Sequence, residues 1–135
     1  MRIPTHPLAA RAADALPELP ALGLEERLAR VAATRRRLAA AGPGIVDLAV
    51  AEAGIPRRFA TREVTSALLL LDALPELAEA IRPRVVPSVS GETTLEWAPY
   101  GVVLGWHAAN SPVWVPTLVV VSALVGGNTV GSRPS

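Results

Sequence analysis

From Leu24 onward the apolar positions recur at helical spacing. Leu24, Leu28, Val31 and Leu38 fall on one face of a helix, and Arg27, Arg30, Arg35 and Arg36 fall largely outside it. Glu25 and Glu26 stand in the first turn and Arg35, Arg36 and Arg37 toward the end, the charge order that complements a helix macrodipole. Gly42-Pro43-Gly44 predicts the end of that helix. A shorter one is expected over 45–53, stopped by Gly54 and Pro56. Thr61 is a candidate cap for a third helix in which Val64, Leu68 and Leu71 share a face that Leu69 and Leu70 widen. Pro75 is expected to break or kink this helix before Leu77, Ala78 and Ile81. Upstream, residues 1–22 are rich in Pro and Ala with weak periodicity, and read as a loose, flexible arm.

Beyond Pro83 the period changes. Arg84–Val89 and Thr93–Trp97 flank Ser90-Gly91 and predict a β-hairpin with mixed polar and apolar residues. Val102-Val103 reads as a buried strand, Asn110-Ser111-Pro112 as a sharp turn and Thr129-Val130 as a second strand. The stretch Val113 to Val125 between them is contested. Its valines favour a strand, yet the run is long for a strand and ordinary for a helix. Ser111-Pro112 offers an N-cap and a first-turn proline, and Gly126-Gly127 a stop, so a helix is predicted, with Pro116 tolerated near its start. From Trp97 to Ser132 there is no Asp, Glu, Lys or Arg. A membrane-spanning helix needs about 20 mainly apolar residues. Pro99, Gly101, Asn110, Pro112, Pro116, Gly126, Gly127 and Asn128 interrupt this run, which reads instead as buried α/β core with no membrane partner.

Composition narrows the chemistry. At 135 residues, 50% hydrophobic and net charge +1, the chain suits one domain with a core and carries no nucleic-acid footprint. All 13 basic residues are arginine, and cysteine is absent. That excludes disulfides, thiolate metal sites and a cysteine nucleophile within these residues. Arg2 is followed by Pro4, His6 and Pro7 without a continuous apolar segment, so no secretory signal is read and the cytoplasm is the default location. No G-x-S-x-G, phosphate-binding loop or metal-ligand cluster appears.

Four ordered pieces carry a resemblance: Pro99-Tyr100-Gly101-Val102-Val103, then Asn110-Ser111-Pro112, then Ala123-Leu124-Val125-Gly126-Gly127-Asn128-Thr129-Val130, then Arg133-Pro134-Ser135. Together they resemble the first nucleotide-binding segment of the aldehyde dehydrogenase superfamily. Upstream, Glu25-Glu26-Arg27 is similar to the start of that family's first long helix, Glu52-Ala53-Gly54-Ile55-Pro56 to its glutamate-threonine-glycine-x-proline turn, and the 84–97 hairpin to its oligomerisation strands. The likeness covers roughly residues 22–135, in order and at plausible spacing.

The resemblance implies an α/β fold in four parts. These are the arm (1–22), a helical layer (23–83), an oligomerisation-type hairpin (84–98), and the first β–α–β unit of a Rossmann-like dinucleotide-binding domain (99–135) that stops early. It also implies NAD or NADP as cofactor, a small-molecule aldehyde or acyl thioester as substrate, and a homo-oligomer joined through the hairpin. By the same likeness Asn110 helps hold the oxyanion of the thiohemiacetal intermediate. Residue by residue, Asn110 could instead tie down its own turn by bonding local backbone. Arg133 stands where the family has a lysine that binds ribose hydroxyls of the cofactor, a planar fork in place of a point charge; otherwise it is a solvated strand-end arginine. Ser135 belongs to the same cofactor segment. His107-Ala108-Ala109, where the family has proline-tryptophan before the asparagine, leans toward the acyl-CoA reductase branch. A lone His107 at a strand end reads as structural, His6 has no evident partner, and Trp106 and Trp114 read as core. The family's cysteine nucleophile is missing, and its general-base glutamate and glycine-rich loop are expected beyond Ser135. The chain is thus expected to be an N-terminal fragment, inactive alone. The alternative is a non-catalytic binding or oligomerisation module built on the same fold start.

Overall fold

Two long helices joined by the short Gly54-Ile55-Pro56 link form the scaffold of the computed structural model, which describes residues 7–16 and 18–133. In chain order the elements are α1 (Pro7–Asp14), α2 (Glu18–Ala21), α3 (Leu24–Ala53), α4 (Arg57–Ala78), a 3-10 turn (Glu79–Ile81), β1 (Arg84–Ser88), β2 (Gly91–Leu95), β3 (Val102–Trp106), α5 (Trp114–Val125) and β4 (Thr129–Arg133). Leu28 and Val31 of α3 pack with Leu71, Leu74 and Ala78 of α4, while Val46 and Ala49 pack with Ala60 and Val64. The start of one helix thus meets the end of the other, an antiparallel αα-hairpin. Val121 and Val125 of α5 close the first cluster, and burial of these aliphatic faces is the main term holding the layer together.

Several sequence expectations yield to this packing. Within the arm read as loose over 1–22, Pro7–Asp14 and Glu18–Ala21 form α1 and α2, and α1 packs on β3 and β4. Gly42-Pro43-Gly44 does not end a helix; α3 runs through it to Ala53. An interior proline costs about 3 kcal/mol, but apolar residues on both sides of it are anchored on the same α4. Gly42 serves that approach, since a Cβ there would lie 3.1 Å from Val64 Cγ1. The predicted stop at Gly54 holds, with left-handed φ of 64°. Thr61 is no cap: α4 begins four residues earlier, where the Pro56 carbonyl accepts from Phe59 N (2.8 Å) and Ala60 N (3.2 Å). Leu69 faces solvent at 64% exposure, so it does not widen the buried face, whereas Leu70 packs on the core. Pro75 lies within α4 without breaking it, and the chain tightens into the 3-10 turn only after Ala78.

β1 and β2 form the expected hairpin, with Ser88 opposite Gly91 across a two-residue turn, and Gly91 adopts φ 126°. Nearly all of its residues are exposed. β3 and β4 pair in parallel, from Val102 opposite Thr129 to Trp106 opposite Arg133, with α5 as the crossover. No described helix is long and apolar enough to cross a membrane.

Across the helical layer Arg35 donates through Nε and Nη2 to both Asp72 oxygens, at 2.8 and 2.9 Å. The hydrogen bonds from Arg35 hold the Asp72 carboxyl below its ordinary 3.8. A lowered folded value means the pair's contribution is present above about pH 3.8 and is lost as pH falls through the folded value. Both partners are exposed, so the effect is small. Asp72→Asn should lower the urea midpoint slightly at neutral pH and remove part of its decline in acid. Unchanged acid sensitivity in the variant would count against the pair.

Candidate functional site

The site is built around the turn that leaves β3 and enters α5. At its first end His107 is buried, at 4% exposure; its backbone N–H donates to the Arg133 carbonyl (3.2 Å), and its ring Nε2 lies 2.9 Å from Ser132 Oγ. These bonds fasten the end of β3 to the end of β4, so His107 has the structural role read from the sequence. Within the turn Ser111 N donates to the Ala108 carbonyl at 3.3 Å. At its far end the Glu63 carboxylate of α4 accepts from Val113 N (3.0 Å) and Trp114 N (3.2 Å). This replaces the cap expected from Ser111. α5 has no side-chain cap of its own and no acidic residue in its first turn, so an acid from another helix satisfies its free N–H groups and complements its dipole. Pro116, the third residue of α5, sits where proline is tolerated.

Asn110 is exposed on this turn, and its side-chain amide makes no hydrogen bond among the described residues. The local role, an amide bonded to its own turn's backbone, is therefore not the one adopted. Asn110 lines a cavity of about 830 Å³ with Ile55, Phe59, Arg62, Glu63, Ser66 and Trp114. Three elements meet there: the end of α3, the first turns of α4 and the start of α5.

Arg133 lies elsewhere, at the carboxyl end of β4. Its guanidinium stands 4.5 Å from the centre of the Trp106 ring, an arginine–aromatic stack. Trp106 is 77% exposed and so is not the core residue read from the sequence; Trp114 is half-buried against the cavity. Period 2 explains the miss, because Trp106 shares a sheet face with Leu104, which is also exposed. Arg133, Trp106, Gly105, Gly131 and Leu8 line a second cavity of about 380 Å³. Ser135 and His6 lie outside the described residues. Asn110 follows β3 and Arg133 ends β4, on the carboxyl side where open α/β sheets bind ligands, but the two line different cavities, the smaller of which lies against the sheet face beside α1.

Asn128 ties the unit together. Its Oδ1 accepts from Gly101 N (2.9 Å), and its Nδ2 donates to the carbonyls of Ala123 (3.3 Å) and Gly126 (3.4 Å). One amide thus fixes the start of β3 to the end of α5. Arg27 closes the same end, donating from Nε to the Val125 carbonyl (3.0 Å) and from Nη1 to the Leu22 carbonyl (2.6 Å).

The family model for the aldehyde dehydrogenase family matches residues 5–135. The chain belongs to that family. A curated relative, N-succinylglutamate 5-semialdehyde dehydrogenase of Chromobacterium violaceum, is 34% identical over 128 residues, which are 94% of this chain and 26% of that protein. Among solved structures, lactaldehyde dehydrogenase of Escherichia coli superposes with a TM-score of 0.85 at 25% identity, over 95% of this chain and 27% of that one. NADP-dependent glyceraldehyde-3-phosphate dehydrogenase of Bacillus halodurans C-125 gives 0.85 at 24% identity, over 95% and 28%, a likeness of fold. The chain thus spans about a quarter of the length of these relatives.

For an aldehyde dehydrogenase chain, the asparagine of the turn was readable from the motif, whereas Glu63 and Arg62 were not. Their signal is spatial. Glu63 reaches amides fifty residues away in sequence, and only the α4 spacing of Phe59, Arg62, Glu63 and Ser66 hints at a common face.

Proposed function

We propose that this chain supplies the oxyanion donor and one wall of the cofactor site of an NAD(P)-dependent aldehyde dehydrogenase. The observation that carries the proposal is the Asn110 amide, which has no protein partner among the described residues, lines the larger cavity and sits on a turn fastened at both ends. A donor held in place before reaction stabilises charge as it develops without reorganising, and that is worth a few kcal/mol. The Asn110 Nδ2–H donates to the carbonyl oxygen of a small aldehyde as negative charge builds on it. Ile55, Phe59 and Trp114 give that face an apolar lining.

NAD or NADP fits the carboxyl ends of β3 and β4. Arg133 is stacked on Trp106 while its side-chain N–H groups make no hydrogen bond among the described residues, leaving them for ribose hydroxyls. Gly131 lets Leu104 and Leu8 pack over β4, since a Cβ there would meet Leu104 Cδ2 at 2.8 Å and Leu8 Cγ at 3.0 Å. When bound, the cofactor supplies the hydride acceptor for oxidation of the aldehyde to the acid, or the donor for reduction of an acyl thioester. The chain has no cysteine, so it carries no thiolate nucleophile and is inactive by itself. The exposed hairpin, with Val85 and Leu95 uncovered, serves homo-oligomerisation.

The test is a chimera. Residues 5–135 replace the matching segment of the Chromobacterium violaceum relative. A folded chimera that oxidises aldehydes with NAD or NADP is the expected result. A folded but inert chimera, together with self-association of the isolated chain that Val85→Glu abolishes, would favour the non-catalytic oligomerisation module instead.

A further inference from the structure

We propose that Arg62 is a carboxylate-binding residue, so that the larger cavity selects ligands bearing a carboxylate at the end remote from the group that Asn110 meets. The proposal rests on the Asn110 reading only for the ligand's orientation. The cavity, about 830 Å³, has apolar walls at Ile55, Phe59 and Trp114, and carries one residue of each charge, Arg62 and Glu63. The two charges are not equivalent. The Glu63 carboxylate is occupied, with Oε2 accepting from two backbone amides at the start of α5. The Arg62 side chain makes no hydrogen bond, ion pair or ring contact among the described residues. Its neighbour Arg58 is already placed over the Phe59 ring, at 4.8 Å. The charged group in this cavity whose hydrogen-bonding atoms hold no other part of the fold is therefore the Arg62 guanidinium.

Position and shape agree. Phe59, Arg62, Glu63 and Ser66 follow the i, i+3, i+4, i+7 spacing of a single helix face, and all four line the cavity. A guanidinium presents two parallel N–H donors that match the two oxygens of a carboxylate, a pairing a neutral tail does not reproduce. Ser66 adds a hydroxyl donor on the same face. A site with such a donor set discriminates strongly against the analogue that lacks the matching acceptor.

The experiment uses the purified full chain and follows the Trp114 indole N–H and the Asn110 side-chain amide by two-dimensional NMR at constant ionic strength. Succinate is the probe, its neutral isostere succinamide and inorganic phosphate are the comparisons, and Arg62→Gln, Arg62→Lys and Arg84→Gln are the variants. Arg84, on the hairpin, controls for general loss of positive charge. Succinate should give saturable shifts at both reporters, and succinamide should bind about tenfold or more weakly, the size of one lost charge-assisted pair. Arg62→Gln should abolish that preference, Arg62→Lys should retain part of it, and Arg84→Gln should leave it intact. Equal binding of succinate and succinamide by the unaltered chain would overturn the proposal, and so would phosphate binding as tightly as succinate or an unchanged affinity in Arg62→Gln. The comparison of ligands on the unaltered chain needs no variant to fold. Failure of the oxyanion reading shows elsewhere, in the turnover of the chimera, and leaves Arg62-dependent succinate binding untouched.

Discussion

Asn110→Ala in the chimera should lower kcat by about 10²–10³-fold, the usual cost of removing one oxyanion donor. KM for the aldehyde should change little, because the bond strengthens only as charge develops on the carbonyl oxygen. The structure gives a reason to expect a clean result. The Asn110 amide holds nothing else in place among the described residues, so its loss leaves the turn intact, with Ser111 N still on the Ala108 carbonyl and His107 still on Ser132. The variant's melting temperature should therefore stay close to that of the unaltered chimera. Asn110→Asp should be at least as damaging, since an ionised carboxylate has no donor and repels the charge it would face. Loss of stability in step with kcat would assign Asn110 to the fold instead of to the reaction.

The residues that could be read from the sequence are those whose reasons are local. The β–α–β unit is one such case. The uncharged run from Trp97 to Ser132, broken at Asn110–Pro112 and at Gly126-Gly127, marks strand, helix and strand, and all three occur where the breaks place them. The hairpin is another: its turn falls at Val89-Ser90, one residue before the Ser90-Gly91 read from the sequence, and Gly91 opens β2 with the positive φ that glycine allows. Gly42-Pro43-Gly44 shows the limit. Locally it is a stop, but the chain on each side is pinned to one partner helix, and tertiary packing overrides propensity. Trp106 fails for a related reason: an aromatic in an apolar run is read as core, whereas one face of a two-stranded sheet is left open beyond α1. In the candidate site, Asn110 and Arg133 stood out through motif and order. Nothing local marked Glu63, an acid within a helix whose partners are two amides on another helix.

Glu63→Ala should cost the chain about 2–3 kcal/mol, measured by urea unfolding, because two N–H groups at the start of α5 lose a charged acceptor and the helix dipole loses its counter-charge. A surface glutamate without partners would cost a small fraction of that. Two conservative variants separate the causes. Glu63→Gln keeps an oxygen acceptor of nearly the same reach but no charge, and should recover part of the loss. Glu63→Asp keeps the charge on a shorter stem and should recover less, since the two amides lie at 3.0 and 3.2 Å from the present oxygen. Recovery by aspartate and none by glutamine would mean that charge alone matters, through the dipole. In the chimera the same series should move kcat in the order of stability but by smaller factors than Asn110→Ala. Glu63 acts on the reacting carbonyl only by fixing the end of the turn that carries Asn110, three residues before the first amide it holds. The cavity wall is thereby tied to the strand–helix unit through one carboxylate, and loosening it should broaden the Asn110 amide resonance while leaving the Arg133–Trp106 stack at the other cavity unchanged.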